Sequence, residues 1–172
     1  MRLFIAVNFN NSTKDKLLFL CDELRSHSER GRFSLPENLH LTLAFLGECN
    51  PKQTTAAKSA MDYMNFKALD ITIENMGRFK RDGGEIWWAG IAENQTLIEL
   101  QWSLTDNLNS AGFSLEKRKY SPHITLAREV VTDLQPQGIE PFGETVSSVE
   151  LMKSEQIGGK LTYTPIYQKT AD

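Results

Sequence analysis

Apolar positions fall into short blocks with two distinct periods. Leu3-Phe4-Ile5-Ala6-Val7 is a continuous run whose length and composition suit a buried strand. After it, Leu17, Leu18, Leu20, Cys21 and Leu24 recur at helical spacing among Lys, Asp and Glu. This predicts an amphipathic helix to about Ser28, capped by Ser12 or Thr13 and ended before Gly31. Pro36-Glu37-Asn38 leads into an apolar stretch, Leu39 to Leu46, stopped by Gly47. Pro51 suits the first turn of a second helix, with Ala56, Ala57, Ala60, Met61 and Met64 along one stripe. Leu69 to Ile73 alternates apolar with polar, as a half-buried strand does. Asp82-Gly83-Gly84 is a hairpin turn that returns the chain into Ile86 to Ile91. A third helical face, Leu97, Ile98, Leu100, Leu104 and Leu108, ends near Gly112. Three strands follow, at Ile124–Ala127, Val146–Met152 and Leu161–Tyr167, the last behind a Gly158-Gly159 turn. Pro136, Gly138, Pro141 and Gly143 mark a loop among them. The expected class is α+β with mixed or antiparallel sheets, because the helices do not alternate cleanly with strands.

Two of the three histidines stand in nearly identical pentapeptides, His40-Leu41-Thr42-Leu43-Ala44 and His123-Ile124-Thr125-Leu126-Ala127. They lie 83 residues apart, close to half the chain, as two related lobes require. On a strand, residues i and i+2 share a face, so His and Thr point together while Leu or Ile points into a core. Two such strands facing each other across a groove would present two imidazoles and two hydroxyls. That set suits displacement at phosphorus. One imidazole takes a proton from water and the other protonates the departing oxygen; a pKa near ~6.5 leaves both forms of histidine accessible. The threonine hydroxyls can donate to non-bridging phosphate oxygens. Neither histidine has a second zinc ligand at the usual spacing, so no metal and no other cofactor is expected. His27, amid Ser26, Ser28, Glu29 and Arg30, reads as a solvated helix-end residue.

Composition narrows the surroundings of this chemistry. A chain of 172 residues is one domain, or two small lobes sharing a core. Its 40% hydrophobic and 24% charged residues exclude wholesale disorder. A net charge of −3 argues against a broad nucleic-acid footprint but permits a grip on one phosphate. Cys21 and Cys49 read as two reduced structural thiols, which points to the cytoplasm. No run approaches the ~20 apolar residues of a membrane span, and no signal peptide is expected. Arg78-Phe79-Lys80-Arg81 and Lys117-Arg118-Lys119-Tyr120 mix cations with aromatics. Solvated turns explain them best, and the second, near His123, is the better substrate-binding candidate. Trp87 and Trp88 point to opposite faces of one strand, so at most one can line a groove; core packing is expected for both.

The stretches Leu39 to Gly47 and Pro122 to Arg128 resemble the paired H-x-T-x motifs of the two-histidine (2H) phosphoesterases. The nearest likeness is to the RNA 2′,3′-cyclic phosphodiesterases, formerly called 2′-5′ RNA ligases. Arg2 to Ala6, the Pro36-Glu37-Asn38 lead-in and Gly77-Arg78-Phe79 before Trp87 add to it. The resemblance implies one domain over residues 1–172, built from two pseudo-symmetric lobes. Each lobe is a mostly antiparallel sheet with helices outside and the active-site groove between. It implies His40 as general acid, His123 as general base, and Thr42 and Thr125 as phosphate-holding hydroxyls; the acid and base labels could be exchanged. It also makes Arg128 a substrate-contact candidate, although strand alternation puts Arg128 out of phase with His123 and Thr125. The implied partners are RNA 3′ ends or small cyclic nucleotide phosphates, handled by a monomer. Two alternatives keep the groove: a non-catalytic RNA-end or nucleotide-binding module, and a 2′-5′ ligase or phosphodiesterase using the same site.

Overall fold

The computed structural model describes residues 1–116 and 118–172. The chain runs β1 (Arg2–Asn8), α1 (Asn11–Ser26), β2 (Ser28–Phe33), a 3₁₀ turn (Pro36–Asn38), β3 (His40–Glu48), α2 (Pro51–Asp62), β4 (Leu69–Phe79) and β5 (Glu85–Ile91). It continues through α3 (Gln95–Ser110), β6 (His123–Thr132), β7 (Gln137–Val146), β8 (Ser148–Ile157) and β9 (Lys160–Thr170). Two sheets result, ordered β3-β1-β8-β9 and β2-β6-β5-β4-β7, with antiparallel neighbours throughout. Among the described residues no helix is long and apolar enough to cross a membrane.

Each motif strand pairs with the strand that precedes a 16-residue helix: β3 with β1 ahead of α1, and β6 with β5 ahead of α3. Both helices are capped by an asparagine whose side chain accepts an orphan N–H, Asn10 from Thr13 and Asn94 from Leu97. The first helix thus starts two or three residues earlier than a Ser12 or Thr13 cap would place it, because Asn10 already supplies the acceptor. It also ends at Ser26, where His27 turns the chain into β2.

The helices exchange partners across the molecule. Helix α1 lies against β2, β6 and β7, whereas α3 lies against β3 and α2. One continuous apolar core follows, running from Leu17, Leu20 and Leu24 of α1 through Leu41 and Leu43 to Trp87, Ile124 and Leu126. The opposite faces of the two sheets are left to line a groove.

Two strands depart from expectation, and both are sheet edges. β2 begins where the first helix was expected to end and fills a stretch with no expected strand, and β7 occupies the stretch marked as a loop by Pro136, Gly138, Pro141 and Gly143. An edge strand bonds on one side only, so proline and polar residues are tolerated there. Gly143 is required by that pairing: a Cβ on it would collide with the Ile71 carbonyl of β4.

Candidate active site

His40 and His123 open β3 and β6, and both line one groove of about 1180 Å³. Thr42, Thr125 and Arg128 line it too, so the structure brings together all five residues singled out by the motifs. Their leucine and isoleucine neighbours, Leu41, Leu43, Ile124 and Leu126, are buried in the core behind them. The strand alternation therefore holds through Thr42 and Thr125.

Beyond the threonines both copies break phase in the same way. Ile5 pairs with Ala44 and Ala6 with Thr42, which passes over Leu43. Trp87 pairs with Ala127 and Trp88 with Thr125, which passes over Leu126. Each is a β-bulge, two residues opposite one, which flips the alternation of everything after it. Phe45 and Arg128, the next residue in each copy, consequently face the groove. The bend that Arg128 needs is thus built into the motif. The bulges are held by donors outside the ladders: Gln101 Nε2 of α3 donates to the Leu43 carbonyl (3.1 Å), and the Ser34 N–H donates to the Leu126 carbonyl (2.9 Å).

The imidazoles are clamped alike. His40 donates its Nδ1–H to the Asn38 carbonyl and His123 donates its own to the Ser121 carbonyl, both at 2.8 Å. A carbonyl only accepts, so each ring carries its proton on Nδ1 and turns Nε2 away from the clamp. Aromatic rings hold the planes. Phe4 of β1 and Tyr163 of β9 lie 4.8 and 5.3 Å from His40, centroid to centroid. Phe79 of β4 and Trp88 of β5 lie 5.2 and 6.2 Å from His123. Trp87 is wholly buried, whereas Trp88 is partly buried and packs against the rings of Phe79 and His123, so full core burial describes only the first indole. Close approach of its ring requires a glycine at position 77, where a Cβ would strike the indole.

The clamps differ in what meets Nε2. The Thr42 hydroxyl donates to His40 Nε2 at 2.9 Å. Burial pushes the His40 pKa below its ordinary value; the bond to Asn38 opposes this, and the charges of Arg128, His123 and Lys14 reinforce it. Arg128 and His123, from the other sheet, are therefore within electrostatic reach of His40. Arg128 also lowers the Tyr163 phenol against the dominant upward push of burial. Tyr120 donates its hydroxyl to the Thr42 carbonyl (2.8 Å), tying the segment before β6 to β3, and burial drives its pKa up.

The two basic clusters divide. Arg78 pairs with Glu85 (3.2 Å) and reaches the Leu134 carbonyl, which makes it a structural cation. Phe79 and Arg81 line the groove, as do Arg118, Lys119 and Tyr120; Lys117 lies outside the described residues. His27 is exposed at the end of α1, and Cys21 and Cys49 are buried free thiols. Sequence reasoning missed Phe45, although the repeat offset aligns it with Arg128. Phe79 stood in the first of those clusters, but the other cage rings, Phe4 and Tyr163, carry no local signal, because strand pairing alone brings them to His40.

A family model described as LigT-like phosphoesterase matches residues 7–88, a span that includes the first motif. The chain is 31% identical to the RNA 2′,3′-cyclic phosphodiesterase of Archaeoglobus fulgidus, over 84% of this chain and 85% of that protein. It is 28% identical to the protein of the same name from Escherichia coli, over 96% and 93%. The crystal structure of Escherichia coli LigT complexed with 3′-AMP superposes with a TM-score of 0.86 at 25% identity, covering 99% of this chain and 97% of that one. A further phosphoesterase crystal structure gives 0.85 at 26% identity, over 99% and 97%. A likeness that runs through both sheets, together with a curated relative above 30% identity along most of its length, makes this chain a member of the LigT-like phosphoesterase family.

Proposed function

We propose that the protein is an RNA 2′,3′-cyclic phosphodiesterase that opens a terminal cyclic phosphate to a 2′-phosphomonoester. The observation that carries this reading is the matched pair of Nδ1-clamped imidazoles on one groove, one from each sheet. The relatives named for this activity support it, as does a LigT structure holding 3′-AMP.

In the reaction, water attacks phosphorus while His123 Nε2 removes its proton. The bond from phosphorus to O3′ breaks, and His40 Nε2–H delivers a proton to that oxygen. His123 ends protonated and His40 neutral, and exchange with solvent restores both. Each positioned acid or base contributes on the order of 10²–10⁴ in rate. Protonation of His40 at Nε2 removes the acceptor of the Thr42 hydroxyl, which frees that hydrogen for a phosphate oxygen while Nε2–H is left for O3′. Thr125 makes the corresponding donation from the other sheet, and Arg128 supplies positive charge beside the five-coordinate phosphorus. No step needs a metal ion.

Residues 1–172 work as one domain in this reading, a monomer in the cytoplasm acting on RNA 3′ ends or small cyclic nucleotide phosphates. Two buried free thiols suit a reducing compartment. The test is a short RNA ending in 2′,3′-cyclic phosphate, incubated in EDTA, with the phosphate position of the product determined. A 2′-phosphomonoester is expected. Binding without turnover would leave a non-catalytic end-binding module, and 2′-5′ joining of ends would make it a ligase.

A further inference from the structure

A cyclic phosphodiester brings one negative charge into the groove, and Arg128 already stands beside it. The groove holds more positive charge than that. Among its described lining residues Arg32, Arg81, Arg118, Lys119 and Arg128 are cations, and Glu116 alone is a carboxylate, in a chain whose net charge is −3. Glu116 lies 3.9 Å from Arg118, at some remove in sequence from the other arginines.

Three of these cations gather along β6. Arg32 of β2 is the ladder partner of Arg128, so the two side chains leave the same face, and both line the groove. Like charges directly opposite in a ladder repel. Arg81 joins them from the β4–β5 turn: its guanidinium lies 5.5 Å from the Phe79 centroid, and Phe79 packs edge-on against His123. Arg30 draws β2 toward that turn by donating to the Gly83 carbonyl at 3.4 Å.

The ladder is bent to manage this crowding. Arg30 pairs with Val131 and Arg32 with Arg128, so β6 carries an extra residue between them. Within that bulge Glu129 has a φ of 55°, left-handed backbone that a side-chain-bearing residue rarely adopts. Its carboxylate meets Arg32 Nε at 2.8 Å. One carboxylate cannot satisfy the N–H donors of two neighbouring guanidinium groups. Arg32 remains 71% exposed, oriented by its partner yet open to a ligand. Guanidinium groups so placed match the oxygens of a phosphate.

We infer that Arg32, with Arg81, seats a second phosphate, the one on the 5′ side of the terminal nucleoside. An RNA ending in a cyclic phosphate has nothing attached beyond it, and its nearest other anion hangs from O5′ of the same sugar. The preferred substrate is then a chain end or a 5′-phosphorylated nucleotide rather than a nucleoside cyclic phosphate. The inference rests on the proposed phosphodiesterase reading and adds the extent of substrate that the groove grips. The contact is made in the bound substrate and kept through the reaction, so it acts on KM rather than kcat.

The test compares adenosine 2′,3′-cyclic phosphate with the same compound carrying a 5′-phosphate, so the substrates differ by one anion. The native protein should show a KM about 10-fold lower for the 5′-phosphorylated compound, with similar kcat. Arg32→Gln should bring the two KM values together. Glu129→Gln keeps an acceptor for Nε but removes the competing negative charge, so it should hold the preference or widen it. Equal KM values in the native protein, a preference that survives Arg32→Gln, or one lost alike in both variants would overturn the inference. A binding readout separates it from the catalytic reading. By calorimetry, adenosine 2′,5′-bisphosphate should bind the native protein about 10-fold more tightly than adenosine 2′-monophosphate, and Arg32→Gln should erase the difference. That pattern without turnover would uphold the phosphate seat while rejecting the hydrolase; turnover with no such difference would do the reverse.

Discussion

At the scale of single residues, the two imidazoles share a clamp but not an environment. His40 is the desolvated one, and burial lowers its pKa most, with Arg128 and His123 adding to the effect. A bound phosphate places negative charge against the ring and pushes that pKa back up. The general acid must be protonated, so its loss sets the alkaline limb of the pH profile. The alkaline limb of kcat, which reports the enzyme–substrate complex, should therefore lie at higher pH than that of kcat/KM, which reports the free enzyme. Coincident limbs would contradict this, and a displaced acidic limb would exchange the roles of His40 and His123. Thr125→Val should cost less than loss of either histidine, roughly 10-fold in kcat, since one of several donors to the phosphate is removed. A loss equal to that of His123→Ala would make the hydroxyl part of the proton transfer. The two histidines, Thr42 and Thr125 were legible in the sequence because a short repeat with period-2 spacing exposes a shared face. Arg128 was the exception to the alternation, and the bulge explains it: an extra residue in a ladder leaves no mark in hydropathy.

At the scale of elements, the site depends on two bulges whose carbonyls must find donors elsewhere. Gln101 of α3 bridges to Leu43 and so links a helix to the phase of β3. Gln101→Met keeps the packing and removes the donor, leaving a carbonyl unpaired at a cost of about 1–3 kcal/mol. In a chain of this size the melting temperature should fall by roughly 2–10 °C. An unchanged melting temperature would show that the bulge needs no such support. The elements hardest to read were the sheet edges β2 and β7, with few buried side chains. Without a buried face there is no alternation to detect, and Pro141 and the glycines speak for a loop unless the edge position is known. The interior strands and all three α-helices announced themselves through burial.

For the molecule as a whole, a groove between two sheets requires that the sheets share one core, and the exchange of α1 and α3 supplies it. The motif repeat pointed to two histidine strands on one groove but not to this exchange, since amphipathic spacing says which face is buried and not against which partner. Cys21 lies inside that core, where burial pushes its thiol up to about 12. Its thiolate population at neutral pH is negligible, and Cys49 is buried as well. A thiol reagent should modify neither cysteine in the native protein and both after denaturation. Rapid native labelling of Cys21 would show that α1 detaches from β6.

The most direct test of two imidazoles acting on one phosphorus is the single-turnover rate on an RNA ending in 2′,3′-cyclic phosphate, measured in EDTA for the unsubstituted protein, His40→Ala and His123→Ala. Each substitution should slow hydrolysis at least ~10²-fold, with substrate still bound. Hydrolysis at the full rate in either variant would contradict the account.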